Sequence, residues 1–168
     1  MQLKNIFFVL GLLAICLAFL LVFPSVISLA YGEYKTLTLF AQCFAGTFCF
    51  GLLLAFLARP PKGEKIQITT REGVAIVGLC WISATFICAL PYFFITDISF
   101  PKSLFESASG LSTTGGTIFS DVEILPKGIL FWRSFTQWFG GMGVLVFLLA
   151  VIKMTGGSHM NLMRAESP

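Results

Sequence analysis

Three stretches of this chain carry no charged side chain over a length that soluble proteins rarely leave uncharged: residues 6–30, 36–58 and 73–96. A fourth stretch, residues 128–152, is charged only at Arg133. A helix that crosses a bilayer needs about 20 mostly apolar residues, and each of the four stretches is long enough. The sequence therefore predicts an all-α integral membrane protein with four transmembrane helices.

The composition agrees with this class. Charged residues make up 11% of the chain, whereas soluble domains carry about 25%. No basic patch of the kind that binds nucleic acid is present, so we expect no nucleic-acid partner. The cysteines all lie inside apolar runs, at no spacing typical of metal ligands, so we expect small buried hydrophobic residues and no transition-metal site. They are Cys16, Cys43, Cys49, Cys80 and Cys88.

The first apolar stretch has two interpretations. Lys4 precedes it and Ser28-Leu29-Ala30 imitates a signal-peptide cleavage site. Its apolar run is longer than the roughly 7–15 residues of a signal-peptide core, which favours a retained helix. We expect Pro24 to bend the outer end of that helix. In the second stretch, Gly46 and Gly51 are expected to allow close helix contact.

The basic residues are distributed unequally between the two sides of the predicted membrane. Cytoplasmic loops of membrane proteins are enriched in Lys and Arg, and the dense cluster between the second and third spans is best placed inside. Both termini are then cytoplasmic. Seven basic residues fall inside (Lys4, Arg59, Lys62, Lys65, Arg71, Lys153, Arg164) and three outside (Lys35, Lys102, Lys127).

These spans divide the chain into three parts. Residues 1–72 form a helix pair with its cytoplasmic loop, residues 73–153 a helix–loop–helix unit, and residues 154–168 a polar cytoplasmic tail. We expect Tyr92, near the outer end of the third span, to lie at the membrane interface.

Between the third and fourth spans lies a helix-compatible segment too short to cross a bilayer. Residues 101–109 begin with a proline, and Gly110 stands where a helix C-cap glycine is expected. A helix that enters the membrane, ends and returns is tolerated only where its backbone lines a cavity or is buried in protein. The placement predicts one re-entrant pore helix and filter loop, although Ser/Thr/Gly clusters alone are usually plain loops.

The chemistry of this loop suits a cation. Backbone carbonyls can replace the hydration shell of an ion, and glycine permits the backbone angles that turn successive carbonyls towards one axis. The preceding helix would direct its partially negative C-terminal end towards the ion. No nucleophile–base pair or metal cluster accompanies the loop, so we expect no enzyme activity.

Two motifs resemble one known family. ESASGLSTTG (residues 106–115) and FWRSFTQWFGGMG (residues 131–143) together resemble the first pore repeat of the Trk/Ktr/HKT superfamily of potassium transporters. The segment MRAESP at the end of the sequence also resembles that family. The two helices before the repeat are similar to the extra pair of Trk-type members, which the Ktr type lacks.

The resemblance implies potassium uptake across a bacterial inner membrane, driven by the membrane potential and with or without symport of a coupled ion. It implies that carbonyls of Ser112, Thr113, Thr114 and Gly115 coordinate K⁺, with Gly115 at the family's filter glycine. Serine at that glycine accompanies sodium preference in some plant relatives. K⁺ is the transported ion, and no cofactor is implied. The usual partner of the family is a peripheral cytoplasmic nucleotide-binding regulatory subunit.

Other residues near the loop have supporting roles in this interpretation. Gly110 and Gly116 would support the filter, and Gly116 stands where many Trk members carry alanine. An unpaired charge inside a membrane helix is costly, so we expect Arg133 to pair with Glu106 or with an acid of a neighbouring repeat, with snorkelling as the alternative. Gly140, Gly141 and Gly143 are expected to allow close helix packing, with a gating hinge as the alternative.

One such unit cannot enclose an ion pathway, because a filter of this type needs four loops around an axis. We therefore expect the chain to be part of a longer polypeptide that contributes the other repeats, or else to assemble with other copies as a homo-oligomeric cation channel. A non-conducting membrane subunit or remnant remains the rival interpretation.

Overall fold

The computed structural model describes residues 3–59 and 70–154 of the chain. Within these residues all regular structure is helical. The helices are α1 (Leu3–Leu20), α2 (Val22–Ala30), α3 (Tyr34–Leu57), α4 (Thr70–Ile95), α5 (Phe100–Leu111) and α6 (Lys127–Met154). The fold class predicted from hydropathy is confirmed as all-helical. Most of the basic loop before α4 and residues 155–168 of the predicted tail lie outside the described residues.

Among the described residues, three segments are long and apolar enough to cross a membrane: Lys4–Ala30, Tyr34–Leu57 and Glu72–Ile95. They match the first three predicted spans. No more than 33% of the most hydrophobic window of any of them is buried inside the chain. Large apolar side chains such as Phe56, 76% exposed, and Leu57, 69% exposed, point outward. Such faces suit a hydrocarbon environment, in which apolar side chains lose nothing by exposure.

The first span is interrupted, as the position of Pro24 predicts. The chain leaves the α-helix at Leu21 and resumes as α2 at Val22. Proline lacks a backbone N–H, and its ring clashes with the carbonyl four residues earlier, which for Pro24 belongs to Leu20. The helix therefore ends at Leu20.

Helices α1 and α3, the N-terminal pair, are in direct backbone contact where they cross. A Cβ added to Gly11 of α1 would lie 2.9 Å from the Gly51 carbonyl of α3, and one added to Gly51 would lie 2.9 Å from the Gly11 carbonyl. Two glycines at one crossing let the helices approach closely. Gly51 therefore has the predicted role. The same prediction is wrong for Gly46, which has no neighbour within 4 Å of the corresponding position.

The short helix α5 is held between α4 and α6, beside a core to which α1 and α3 also contribute. Trp132 of α6 is 1% exposed and its indole N–H donates a hydrogen bond of 3.1 Å to the carbonyl of Cys88 in α4. Leu111 at the end of α5 and Ile129 of α6 belong to the same buried cluster. The end of α5 is therefore held on two sides.

The cysteine prediction is only partly right. Cys43 and Cys88 are buried and Cys80 is partly buried, but Cys16 and Cys49 are exposed. All five are free thiols. The reason for the error is physical: a small apolar side chain on a membrane helix costs little when it faces hydrocarbon, so an apolar run does not by itself predict burial within the protein.

Candidate functional site

Helix α5 is built to be buried on one face. It starts at Phe100, with Pro101 in its first turn, where a missing N–H costs nothing. Its buried residues are largely polar and include Ser103, Glu106, Ser107 and Ser109. The Ser107 hydroxyl donates a hydrogen bond of 2.8 Å to the carbonyl of Thr85 in α4. The polar face of α5 is therefore satisfied inside the protein.

The end of α5 differs from the sequence prediction. The helix runs on to Leu111, with Ser112 as its C-cap, so Gly110 is not the C-cap glycine. The residue in the left-handed conformation is Thr113, with φ 58°. The N–H of Thr113 donates to the Gly110 carbonyl and that of Thr114 to the Ser109 carbonyl, both at 3.0 Å. This pair of bonds is the Schellman motif, with threonine in the position usually taken by glycine.

Gly110 is required for another reason. A Cβ at this position would lie 2.7 Å from the Oγ1 of Thr136 in α6. A Cβ on Gly140 of α6 would overlap the carbonyl group of Leu111 and lie 2.7 Å from its Cα. At Gly141 and Gly143 the corresponding contacts are ordinary, at 3.6 Å or 3.4 Å from the nearest atom. Gly110 and Gly140 therefore set the distance between α5 and α6.

Residues 112–116 form the exposed segment after α5. Ser112, Thr113, Thr114 and Gly115 are exposed and Gly116 is partly buried. Gly115 has φ 76° and Thr113 has φ 58°, so the backbone turns twice into the left-handed region. Within the described part of the chain, the carbonyl oxygens of residues 112–115 accept no hydrogen bond. These oxygens are therefore available to a ligand.

The side chains of the segment are held locally. The hydroxyls of Ser112 and Thr114 are 2.8 Å apart. The Ser109 hydroxyl donates a hydrogen bond of 2.6 Å to the Gly116 carbonyl. That carbonyl is thereby turned towards α5 and away from the exposed side. The geometry thus separates the carbonyls of residues 112–115 from that of Gly116.

Glu106 lies behind the segment with its side chain 1% exposed. Its Oε1 accepts hydrogen bonds from the Thr117 hydroxyl at 2.7 Å and from the Ile118 N–H at 2.6 Å. Its Oε2 forms an ion pair with the guanidinium of Arg133, whose side chain is 18% exposed. The Cζ of Arg133 also lies 5.8 Å from the ring centroid of Phe119. The carboxylate of Glu106 therefore links α5 to α6 and to residues 117–118, which follow the exposed segment.

A cavity of about 10 Å³ lies beside this carboxylate, lined by Tyr92, Glu106, Ser109, Gly110, Gly116, Arg133 and Gln137. A cavity of that size holds about one water molecule at most. Tyr92, expected at the membrane interface, is instead 1% exposed and lines this cavity. The hydropathy pattern gives the position of Tyr92 along the span but not the direction in which it points.

Sequence reasoning missed two hydroxyl groups of this site. Neither the donor role of Ser109 nor that of Thr117 was expected. Ser109 follows Glu106 by three residues and so shares its helical face, a signal that would have suggested the first role. The partner of Thr117 could not be read from spacing, because the loop between it and Glu106 has no regular period.

The cation transport protein family TrkH matches residues 36–168 of the chain. Over 100% of its length the chain is 36% identical to the Trk system potassium uptake protein TrkH of Escherichia coli strain K12. It is 38% identical, over 87% of its length, to an uncharacterized cation transporter of Methanocaldococcus jannaschii. The chain spans 34% and 30% of the lengths of these two curated relatives.

Among solved structures, the crystal structure of the potassium transporter TrkH from Vibrio parahaemolyticus is similar to this fold. The TM-score is 0.81 with 34% sequence identity, over 90% of this chain and 32% of that one. A likeness at this level of both sequence and fold supports common descent of the two chains.

Proposed function

Because the chain belongs to the TrkH family of cation transport proteins, we propose that it supplies one of four filter-forming units of a pore for potassium uptake. The family is one of transporters and not of enzymes. In this proposal α5 is a re-entrant pore helix, residues 112–116 are its filter loop, and α6 is a fourth transmembrane helix. The carbonyls of Ser112, Thr113, Thr114 and Gly115 take the place of water around K⁺.

The observation that carries the proposal is that residues 112–115 are exposed and that, within the described part of the chain, their carbonyl oxygens accept no hydrogen bond. Carbonyl oxygens are neutral ligands that bind a cation without holding it too tightly to leave. The left-handed conformation is uncommon for a β-branched residue such as Thr113, and Gly115 adds a second left-handed position to the segment. The C-terminal end of α5, with its partial negative charge, adjoins the same carbonyls.

Completion of the pore is part of the proposal. A ring of four loops requires three further units, from a longer polypeptide or from other copies of this chain. The basic residues favour an inner-membrane orientation with both termini in the cytoplasm and the filter loop entering from outside. A cytoplasmic nucleotide-binding regulatory subunit would then meet the pore from the cytoplasmic side.

The test is Gly115→Ser in the complete transporter, expressed in cells that lack other potassium uptake systems. Serine at φ 76° strains the backbone and moves the adjoining carbonyls, so the preference for K⁺ over Na⁺ should fall. Uptake of both ions is measured by isotope flux in cells matched for transporter abundance.

Gly116→Ala is the matched control. A methyl group there would meet its nearest neighbours, in Phe105 and Ser109, at an ordinary 3.6 Å. Selectivity should therefore stay at the wild-type value. If Gly115→Ser leaves the K⁺/Na⁺ preference unchanged in a transporter that still conducts, the filter assignment is wrong. A complete transporter that moves no cation would favour the non-conducting subunit.

A further inference from the structure

The charge on Arg133 presents a difficulty for any cation pathway near residues 112–115. Arg133 lies on α6, the helix that also packs against the end of α5. A guanidinium is always charged and would repel a cation held by the adjoining carbonyls. Its side chain is 18% exposed, so solvent screens this charge only in part. The carboxylate of Glu106 neutralises it at contact.

We propose that Glu106 and Arg133 act as a pair of positioning residues that set the cation preference of the filter. This inference rests on the potassium-pore function proposed above. Neither side chain contacts the ion. Glu106 binds residues 117–118, which follow the filter loop, through hydrogen bonds. Arg133 binds Glu106 through an ion pair, in which the two charges cancel.

The hydrogen bonds of Glu106 show how the pair acts on the loop. Its Oε1 accepts from both Thr117 and Ile118, the two residues that follow Gly116. The Ser109 hydroxyl, one turn later on the same face of α5, binds the Gly116 carbonyl. The loop is therefore anchored at residues 116–118 and left free only at residues 112–115. The position of Glu106 sets where the last free carbonyl, that of Gly115, is held.

The position of Glu106 is in turn set by α6. Arg133 binds the second carboxylate oxygen of Glu106 and packs against Phe119, the residue after Ile118. A shift of α6 relative to α5 would move this anchor, but the close approaches at Gly110 and Gly140 prevent such a shift. The ion pair thereby links the spacing of the two helices to the geometry of the carbonyls.

A double-mutant cycle in the complete transporter tests this inference. The variants are Glu106→Gln, Arg133→Gln and the double variant that carries both. Glutamine at 106 keeps an oxygen for Thr117 and Ile118 but leaves Arg133 with an uncompensated charge. Glutamine at 133 leaves the carboxylate uncompensated. The double variant has no net charge and keeps groups able to hydrogen-bond.

The measurements are the half-saturating concentrations of K⁺ and Rb⁺ and the K⁺/Na⁺ preference, with membrane abundance followed by immunoblot. We expect each single variant to change the K⁺/Na⁺ preference by about tenfold or more, because a buried charge loses its partner. The double variant should return to within about threefold of wild type, because the two effects are coupled. Glu123 is an exposed acid in the loop before α6, so Glu123→Gln should change none of these three quantities.

Wild-type preference in both single variants, or a double variant no better than the poorer single, would overturn the inference. If the single variants fail to accumulate in the membrane, Thr117→Val decides, because it removes one bond of Glu106 and leaves both charges in place. A wild-type K⁺/Rb⁺ ratio in that variant would also overturn it. The pore proposal stands separately: it survives these results if Gly115→Ser still alters K⁺/Na⁺ preference.

Discussion

At the scale of single residues, Thr113 is the position at which the segment of residues 112–116 departs most clearly from ordinary backbone geometry. A β-branched residue at φ 58° is a conformational outlier that costs about 1–3 kcal/mol. Two backbone hydrogen bonds of the Schellman motif and the contact between the Ser112 and Thr114 hydroxyls hold it in place. Strain of this kind persists where the surroundings over-determine a conformation, as they do at binding sites.

The glycines of α6 give a prediction at the same scale. Gly140→Ala should destabilise the protein by about 1–3 kcal/mol, because the new methyl group would overlap the Leu111 carbonyl and force α5 and α6 apart. Gly141→Ala is its matched control, since the added carbon would lie 3.6 Å from Thr113 Cγ2. Thermal unfolding of the detergent-solubilised full-length transporter compares the two. Equal midpoints for both variants would show that the close approach at Gly140 is not required.

At the scale of helices, the N-terminal pair is joined to the start of α6. The carboxylate of Glu33, in the turn between α2 and α3, accepts hydrogen bonds from the N–H groups of Lys127 at 2.7 Å and Gly128 at 3.2 Å. Gly128 packs so closely on α2 that a Cβ there would overlap the Ser28 hydroxyl and lie 3.0 Å from Phe40. The extra helix pair therefore fixes the beginning of the helix that carries Arg133.

Removal of this cap tests the role of the helix pair. Glu33→Ala should lower stability by about 1–2 kcal/mol, because two N-terminal N–H groups of α6 lose an anionic acceptor at the positive end of the helix. Glu33→Gln, which keeps the oxygen and loses the charge, should cost less. The measurement is thermal unfolding of the full-length transporter at low and high salt. Glu123→Ala, in the loop that precedes α6, is the control, and a loss as large as that of Glu33→Ala would contradict the capping role.

At the scale of the whole molecule, the proposed pore needs more than one segment like residues 112–115. An ion that has lost its water needs ligands all around, so the proposal requires four such loops at an axis. The curated relatives are about three times as long as the chain, which covers 34% of their length. Assembly of several units is therefore the central prediction at this scale.

The native mass tests it. An immunoblot of native membranes after chemical cross-linking, with an antibody against the loop between the second and third spans, should detect a species several-fold heavier than 18.4 kDa. If the heavy species is also seen under denaturing conditions in membranes that were not cross-linked, the four units belong to one polypeptide. If those membranes give an 18.4 kDa band and the heavy species appears only after cross-linking, they are separate copies. A product that stays at 18.4 kDa even after cross-linking would contradict a four-unit pore.

Much of the architecture could be predicted from the sequence, because hydropathy and helix-breaking residues act over a few neighbouring positions. The apolar stretches gave the long helices, Pro24 marked the break between α1 and α2, and the short helix with its Ser/Thr/Gly segment emerged between two spans. An ion pair of Arg133 with Glu106 was one of the predicted alternatives, since an isolated charge in apolar surroundings requires a partner.

The tertiary structure alone decided which groups meet. In it, Thr113 is the left-handed residue that ends α5, and Gly110 lies where α5 packs closely against Thr136. It also turned Tyr92 inward and brought Glu33 to the start of α6, 94 residues away along the chain. These outcomes depend on how helices distant in sequence cross, and the free energy of such contacts is not encoded in the local pattern of any one segment.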